Sequence, residues 1–338
     1  MNVSKQHITL TIIIFIGLIV SPATATTLTS DMGTAVTINT TPQRIISLSP
    51  SNTEILFALG LEDFIVGVTE YCNYPAEAQD KTKVGGYSTV SIEKVIALKP
   101  DLIVGAYGNG EELIGNLRSL GYPVIALHPV TLADVLEDIR IVGQATGAGE
   151  NATRLIGDLE QRISAVKENV STARDRPTVA HVIWNDPIYV SGNGTFQDEL
   201  IRESGGENAF QRIEGWMNIG IEDFIQADPD VLIVNTGSGM GGGDDGIAQF
   251  FMNEPRFSQV SAIRNHRVYL IDSDTVDRSG PRIIDALEIF AESIHPELFG
   301  NKTLVVTPTK EARLPGFGTL IACVACIGAG LVAMRRRV

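Results

Sequence analysis

The chain has 338 residues, of which 44% are hydrophobic, and a net charge of −14. This length can bury two domain cores. The acidity excludes nucleic acid as a partner, because phosphates demand a basic surface.

Residues 1–25 read as a signal peptide. An apolar run from Ile8 to Val20 follows Lys5, and Ala23-Thr24-Ala25 has the small residues a signal peptidase needs. No Cys follows the run, which excludes the usual bacterial lipoprotein anchor. Residues 26–41 read as a flexible polar segment. Gln43 to Leu48 is the first strand, and Ser49 to Glu54 opens a helix that Gly60 ends. Ser51, with Glu54 three residues on, is the expected N-cap of a capping box. Neither G-x-G-x-x-G nor Gly-Lys-Ser/Thr occurs at this turn, so it is not a nucleotide site. Phe64 to Val68 is the next strand. Aromatic loops follow at Glu70 to Pro75 and at Val84 to Tyr87.

Ser91 to Val104 is then nearly repeated as Gly220 to Ile233. Ile92, Glu93, Ile96, Pro100 and Asp101 recur as Ile221, Glu222, Ile225, Pro229 and Asp230. Each copy reads as a short helix, a Pro-Asp stop and a buried strand, because Pro removes a donor and restrains the residue before it. The short aliphatic run that follows suits a parallel strand covered on both faces. The repeat predicts two similar α/β lobes, 42–130 and 176–300. Glu93 and Glu222 fall in the first helical turn, where a carboxylate favours the helix dipole. Twin acids on twin lobes also suit docking on a two-fold symmetric basic partner.

Between the lobes, Tyr107 follows the strand at Leu102 to Val104. Leu113 to Leu120 is a helix and Pro123 to Leu127 a strand. Residues 131–175 form a helical connector. Thr131 caps its first helix, and Glu150 to Ala173 is one long helix, with Ala152, Leu155, Ile156, Leu159, Ile163, Val166 and Val170 at three- and four-residue steps. A single rigid helix as the only link limits hinge motion. In the second lobe Val179 to Ile183 is a strand, Trp184 to Tyr189 its loop, and Trp216 stands in the loop before the second repeat. Gly237 to Gly246 is a glycine-rich loop carrying Asp244 and Asp245. His266 to Ile271 is the last strand, and Asp272 to Arg282 leads into a final helix, Ile283 to Ser293.

Residues 301–314 read as a spacer to a C-terminal anchor at 315–338. Phe317 to Met334 is apolar and long enough to span a bilayer, with Arg335-Arg336-Arg337 staying on the cytoplasmic side. Pro315-Gly316-Phe317, an apolar helix and a basic end resemble the PGF-CTERM sorting signal of archaeal surface proteins. That resemblance implies an archaeal source, removal of the tail and attachment of a lipid. Sequons at Asn39, Asn151, Asn169, Asn193 and Asn301 agree with an extracellular address. Cys323 and Cys326 lie in the apolar tail, leaving Cys72 without a disulfide partner. It reads as a buried small hydrophobe.

Aromatic residues are scarce, at 6%. Yet Tyr71, Tyr87, Tyr107, Tyr189 and Trp216 fall in loops after strands, which surround the ligand crevice in open α/β sheets. A cleft lined with rings suits a large, flat, partly apolar molecule. Catalytic signals are absent: His128, His181, His266 and His295 are dispersed, and no metal-ligand spacing occurs. Asp274 and Arg278 read either as a local salt bridge or as an acceptor and donor for a ligand's amide groups.

Residues 42–297 resemble the cobalamin-binding members of the helical-backbone class of ABC-transporter substrate-binding proteins. The carrying motifs are Arg44 to Glu54, Gly67 to Pro75, Ser91 to Val104 and Arg278-Ser279-Gly280-Pro281-Arg282. The resemblance implies two Rossmann-like lobes joined by one long helix, no enzymatic activity, no cofactor, and a corrinoid (cobalamin or cobinamide) in the cleft. It implies that Glu93 and Glu222 dock on the permease dimer, which works with its ATPase subunits. It implies that Trp216 stacks on the ligand, that Tyr71 and Tyr189 add ring contacts, and that Asp274 and Arg278 contact corrin side chains. Tyr87 and Tyr107 stand where the best-known bacterial member has Trp, so corrinoid choice is open at those positions. Ferric-siderophore and haem receptors share the first and third motifs and are the nearest alternative. A surface redox or metal-cluster enzyme is the remoter one; it would need clustered Cys or His.

Overall fold

The computed structural model describes residues 26–29, 33–237 and 245–300. The readings on residues 1–25, 301–314 and 315–338, and on Asp244 in the glycine-rich loop, lie outside the described residues. Among the described residues no helix is long and apolar enough to cross a membrane.

The segment expected to be flexible is instead a hairpin. Strands β1 (Thr26–Thr29) and β2 (Ala35–Ile38) pair antiparallel. Its composition is polar, but its period is two: Val36 and Ile38 enter the core and Leu28 packs against it.

The first lobe comprises β3 (Ile45–Ser47), α1 (Pro50–Ala58), β4 (Ile65–Val68), α2 (Ile92–Ala97), β5 (Leu102–Ala106), α3 (Glu111–Ser119) and β6 (Val124–Leu127). Its four strands form a parallel sheet in the order β4-β3-β5-β6. The N-cap of α1 is Ser49, not Ser51: its hydroxyl accepts from the Asn52 N–H at 3.1 Å, and Pro50 takes the first helical position. The shift frees Glu54 from capping and turns it inward, where it is 3% exposed.

Thr131 and Asp134 cap α4 (Leu132–Thr146) reciprocally, as Thr131 predicts, and Gly147 ends it in a left-handed conformation at φ 75°. The long helix α5 (Gly149–Val170) follows and spans about 33 Å.

The second lobe comprises β7 (Thr178–Asn185), β8 (Ile188–Ser191), α6 (Phe196–Glu203), β9 (Glu207–Asn208), β10 (Trp216–Ile219), α7 (Ile221–Ala227), β11 (Val231–Thr236), α8 (Gly246–Asn253), α9 (Ser261–Arg264), β12 (Val268–Asp272), α10 (Ser273–Val276) and α11 (Ile283–Ile294). The sheet order is β10-β8-β7-β11-β12, with β9 beside β7. Pairing is parallel across β7, β11 and β12 and antiparallel at the β8–β10 edge. Trp184 to Tyr189 is therefore no loop. β7 continues to Asn185 and returns at once as β8, placing Tyr189 inside a strand, and Trp216 opens the edge strand β10. A two-residue turn is too short to break the composition of the strands around it.

The repeat has a structural use in each lobe. Asp101 accepts the N–H groups of Gln43 and Arg44 at 2.7 and 2.8 Å. Asp230 accepts the N–H and hydroxyl of Thr178 at 2.9 and 2.8 Å. Each aspartate thus ties its strand to the start of the lobe's first strand. Lys99 and Asp228 end the repeated helices at φ 48° and 39°, the left-handed turn that precedes each Pro.

The outer face of each sheet has its own apolar cluster. A third cluster runs from Ile45 and Val104 through Leu159 and Val166 of α5 to Ile233 and Phe290, so the lobes share one core. Arg162 on α5 grips Asp285 and Glu288 of α11, at 2.6 Å to each. This joins the connector to the second lobe at the middle of the helix.

Candidate functional site

The C-terminal ends of β5 and β6, the start of α6, Trp216 of β10 and the segment after α10 surround a cleft with a cavity of about 460 Å³. Tyr87, Tyr107 and His128 line it from the first lobe, and Phe196, Trp216 and Asp277 from the second. The volume falls within the roughly 300–1,000 Å³ of small-molecule sites.

Buried Asn109 builds the first wall. Its amide donates to the Leu48 and Tyr87 carbonyls at 2.9 and 2.8 Å, and its oxygen accepts the Ala106 N–H at 2.7 Å. Three chain segments are pinned by one side chain. A Cβ at Gly108 would push the Tyr87 ring out of its present place. Tyr107 stacks on His128, with centroids 4.1 Å apart and planes 20° apart. Burial raises the Tyr87 phenol above its ordinary pKa.

The second wall is a hydrogen-bonded chain. The Trp216 indole donates to Gln197 Oε1 at 3.2 Å, and Gln197 Nε2 donates to Asp277 Oδ1 at 2.9 Å. Asn235 Nδ2 donates to Asp277 Oδ2 at 2.8 Å. Asn235 Oδ1 meets His181 Nε2 at 3.0 Å, and His181 Nδ1 meets Ser191 Oγ at 2.9 Å.

Two groups in this chain titrate in opposite senses. Burial pushes Asp277 up to about 7, with Asp274 and Asp272 adding to the rise. Burial pulls His181 down to about 4. The raised acid contributes stability that is lost as pH climbs from about 4 to 7. The depressed base contributes stability that is lost as pH falls from about 6.5 to 4. The two slopes offset each other. His181→Gln should remove one of them. The gap in unfolding free energy between wild type and variant is expected to widen by about 1.4 kcal/mol per pH unit from pH 4 to 6.5. Denaturant unfolding across that range checks this; a constant gap would mean His181 titrates normally.

Of the site residues expected from sequence, Tyr87, Tyr107 and Trp216 line the cavity together. Tyr71 is 60% exposed and rests beside Gly86, outside the lining, as is Tyr189 on β8. Asp274 and Arg278 form the local salt bridge at 2.7 Å. Both also reach the first lobe: Asn73 donates to Asp274 at 2.7 Å and accepts from Arg278 at 2.7 Å, and Glu54 lies 3.3 Å from Arg278. Glu93 and Glu222 are exposed in the first turns of α2 and α7, away from the cleft. Cys72 is buried between the hydroxyls of Thr53 and Thr69, each 3.1 Å from its sulfur. No cluster of His, Cys, Asp or Glu fit to hold a metal occurs among the described residues.

Sequence reasoning missed His128, Asn109, Gln197, Asp277 and Glu54. His128 stands one residue past a strand end, the position that flagged the tyrosines. Asp277 stands beside the flagged Arg278. Glu54 was read only as part of a capping box, and Asn109 and Gln197 carried no local signal.

Residues 45–275 match the family model described as periplasmic binding protein. The chain is 34% identical over 272 residues to an uncharacterised ABC transporter substrate-binding lipoprotein of Bacillus subtilis, covering 78% of this chain and 83% of that one. It is similar to the periplasmic vitamin B12-binding protein of Vibrio cholerae, with a TM-score of 0.68 and 28% identity over 76% of this chain and 98% of that one. It is also similar to a periplasmic haem-binding protein of Roseiflexus sp. RS-1, with a TM-score of 0.67 and 29% identity over 76% and 99% of the two chains.

Proposed function

Since the chain belongs to the periplasmic binding protein family, as a non-enzymatic substrate-binding component of ABC importers of the vitamin B12, haem and siderophore class, we propose that its cleft captures a corrinoid and hands it to a permease. The observation that carries this reading is the charge of the lining. Among the described residues no Lys or Arg lines the cavity. Arg278, which stands between the lining residues Asp277 and Ser279 in the chain, is taken by Asp274, Asn73 and Glu54. Anionic ferric siderophores and the two haem propionates call for cations. A corrin, flat and fringed with neutral amides, calls for rings and hydroxyls, which Tyr87, Tyr107, Trp216, Ser51 and Ser279 bring to this lining.

In this reading Trp216 stacks on the corrin and Tyr87 and Tyr107 select among corrinoids. Tyr71 and Tyr189 act at the rim. Asp274 and Arg278 reach a corrin amide only by giving up their present partners. Glu93 and Glu222 dock on the permease dimer. Residues 42–130 and 176–300 are the two lobes, and residues 315–338 anchor the protein at the outer face of the membrane.

Haem is the second reading, favoured by the Tyr107–His128 pair at the cavity wall, since phenolate and imidazole both ligate haem iron. Calorimetric titration with cyanocobalamin, dicyanocobinamide, haem and a ferric siderophore separates the two. One-to-one corrinoid binding is expected. Exclusive binding of haem or an iron chelate would overturn the ligand and keep the transport role.

A further inference from the structure

We infer that Gln197 and Asp277 are positioning residues for the Trp216 ring, so that the second-lobe wall of the cleft is set before any ligand arrives. The inference takes its ligand from the corrinoid reading, but the ring's placement does not depend on it.

Trp216 opens an edge strand and is 49% exposed. An indole in that place, with only backbone pairing on one side, is free to swing. Its N–H is a donor only. Gln197, 2% exposed, meets it with Oε1. The Gln197 amide cannot turn over. Both of its hydrogens are spent, on the Val276 carbonyl at 3.1 Å and on Asp277 Oδ1 at 2.9 Å. A flip would set NH₂ against the indole N–H and forfeit both bonds. Asp277 is fixed in turn, because Asn235 Nδ2 holds its second oxygen at 2.8 Å. With that amide so oriented, Asn235 Oδ1 requires the proton of His181 on Nε2, leaving Nδ1 to accept from Ser191. With Asp277 as a carboxylate, above about pH 7, each donor from Ser191 to Trp216 therefore has an acceptor and a single direction, and Asn235, His181 and Ser191 are fully buried. Such a desolvated chain is rigid when complete.

Trp184 is the built-in contrast. It is 41% exposed, and its indole donates to the nearby Asp186 carbonyl at 2.9 Å, with no buried chain behind it. Gln197 lines the cavity, yet it has no free hydrogen to offer a ligand. Its contribution to binding runs through the ring it holds, which lowers the ordering cost of stacking.

The experiment uses the full chain carrying Trp184→Phe, which leaves Trp216 as its one tryptophan. Gln197→Leu keeps the size and removes both bonding groups. Asp277→Asn leaves Gln197 in place but sets an amide donor against it or against Asn235. Each is read by acrylamide quenching and anisotropy of Trp216 without ligand, and by cyanocobalamin affinity. Both variants are expected to raise quenching and lower anisotropy. Gln197→Leu should also weaken binding roughly tenfold, the worth of about one hydrogen bond. If Gln197→Leu fails to fold, Asp277→Asn decides by the same readouts. Unchanged quenching and anisotropy in a folded variant would overturn the inference. Altered fluorescence in a chain whose Trp184→Phe parent binds no corrinoid would support the positioning role and sink the corrinoid reading instead.

Discussion

Charge reversal at both Glu93 and Glu222 is expected to abolish uptake while leaving ligand affinity intact. The two carboxylates are exposed on equivalent first turns of equivalent helices, one per lobe. The backbone N–H of Glu93 and the Ser91 hydroxyl, 2.9 Å away, hold its carboxyl below the ordinary range, so it is charged at any physiological pH. Neither acid touches the cleft lining. Reversal costs each helix its dipole interaction, about 0.3–1 kcal/mol at an exposed site, which a fold with a shared core absorbs. Against a basic permease it turns two attractions into two repulsions, each worth several kcal/mol once desolvated. Radiolabelled corrinoid uptake in cells, measured beside calorimetry on the purified variant, separates the effects. A matching fall in affinity would mean that the acids are structural. Retained uptake would remove them from the docking surface.

Glu54→Ala is expected to cost about 3–5 kcal/mol of stability, the usual result of stripping one partner from a buried ion cluster. Glu54 accepts from Arg282 at 2.7 and 3.0 Å and from Arg278 at 3.3 Å. Its side chain is 2% exposed, against 12% and 17% for the two arginines. Arg282 also lies over the Tyr74 ring at 4.0 Å. Removing the carboxylate leaves two guanidinium groups across the lobe boundary with too little to neutralise them. Adding Arg282→Met should recover part of the loss, because an apolar side chain carries no desolvation penalty. Equilibrium denaturant unfolding measures both. A loss under about 1 kcal/mol would show that the cluster is solvated and weak.

Periodicity and punctuation carried most of the fold. The apolar steps of α5, the Thr131 cap and the Pro-Asp repeat are local signals, and each acts within a few residues of where it is written. The twin acids were legible for the same reason, since a first-turn position is a local property. The N-terminal hairpin was misread because polar composition outweighed a four-residue alternation. The β7–β8 hairpin was misread because its turn has only two residues.

The site divides along the same line. Strand-end position flagged Tyr87, Tyr107 and Trp216, and all three line one cavity. The partners that hold them lie far off in the chain. Asn109 binds Leu48 and Tyr87, Gln197 binds Asp277, and Glu54 binds Arg278 and Arg282. Whether Arg278 faces a ligand or a buried glutamate depends on how the two lobes meet, and no residue near position 278 encodes that. Sequence alone determined the two-lobed α/β frame, the long connecting helix and the paired first-turn acids, because short-range sterics and hydrophobic period suffice for them. Tertiary structure alone decided the charge and the rigidity of the cleft, because both depend on which buried donors and acceptors meet across tens to hundreds of residues.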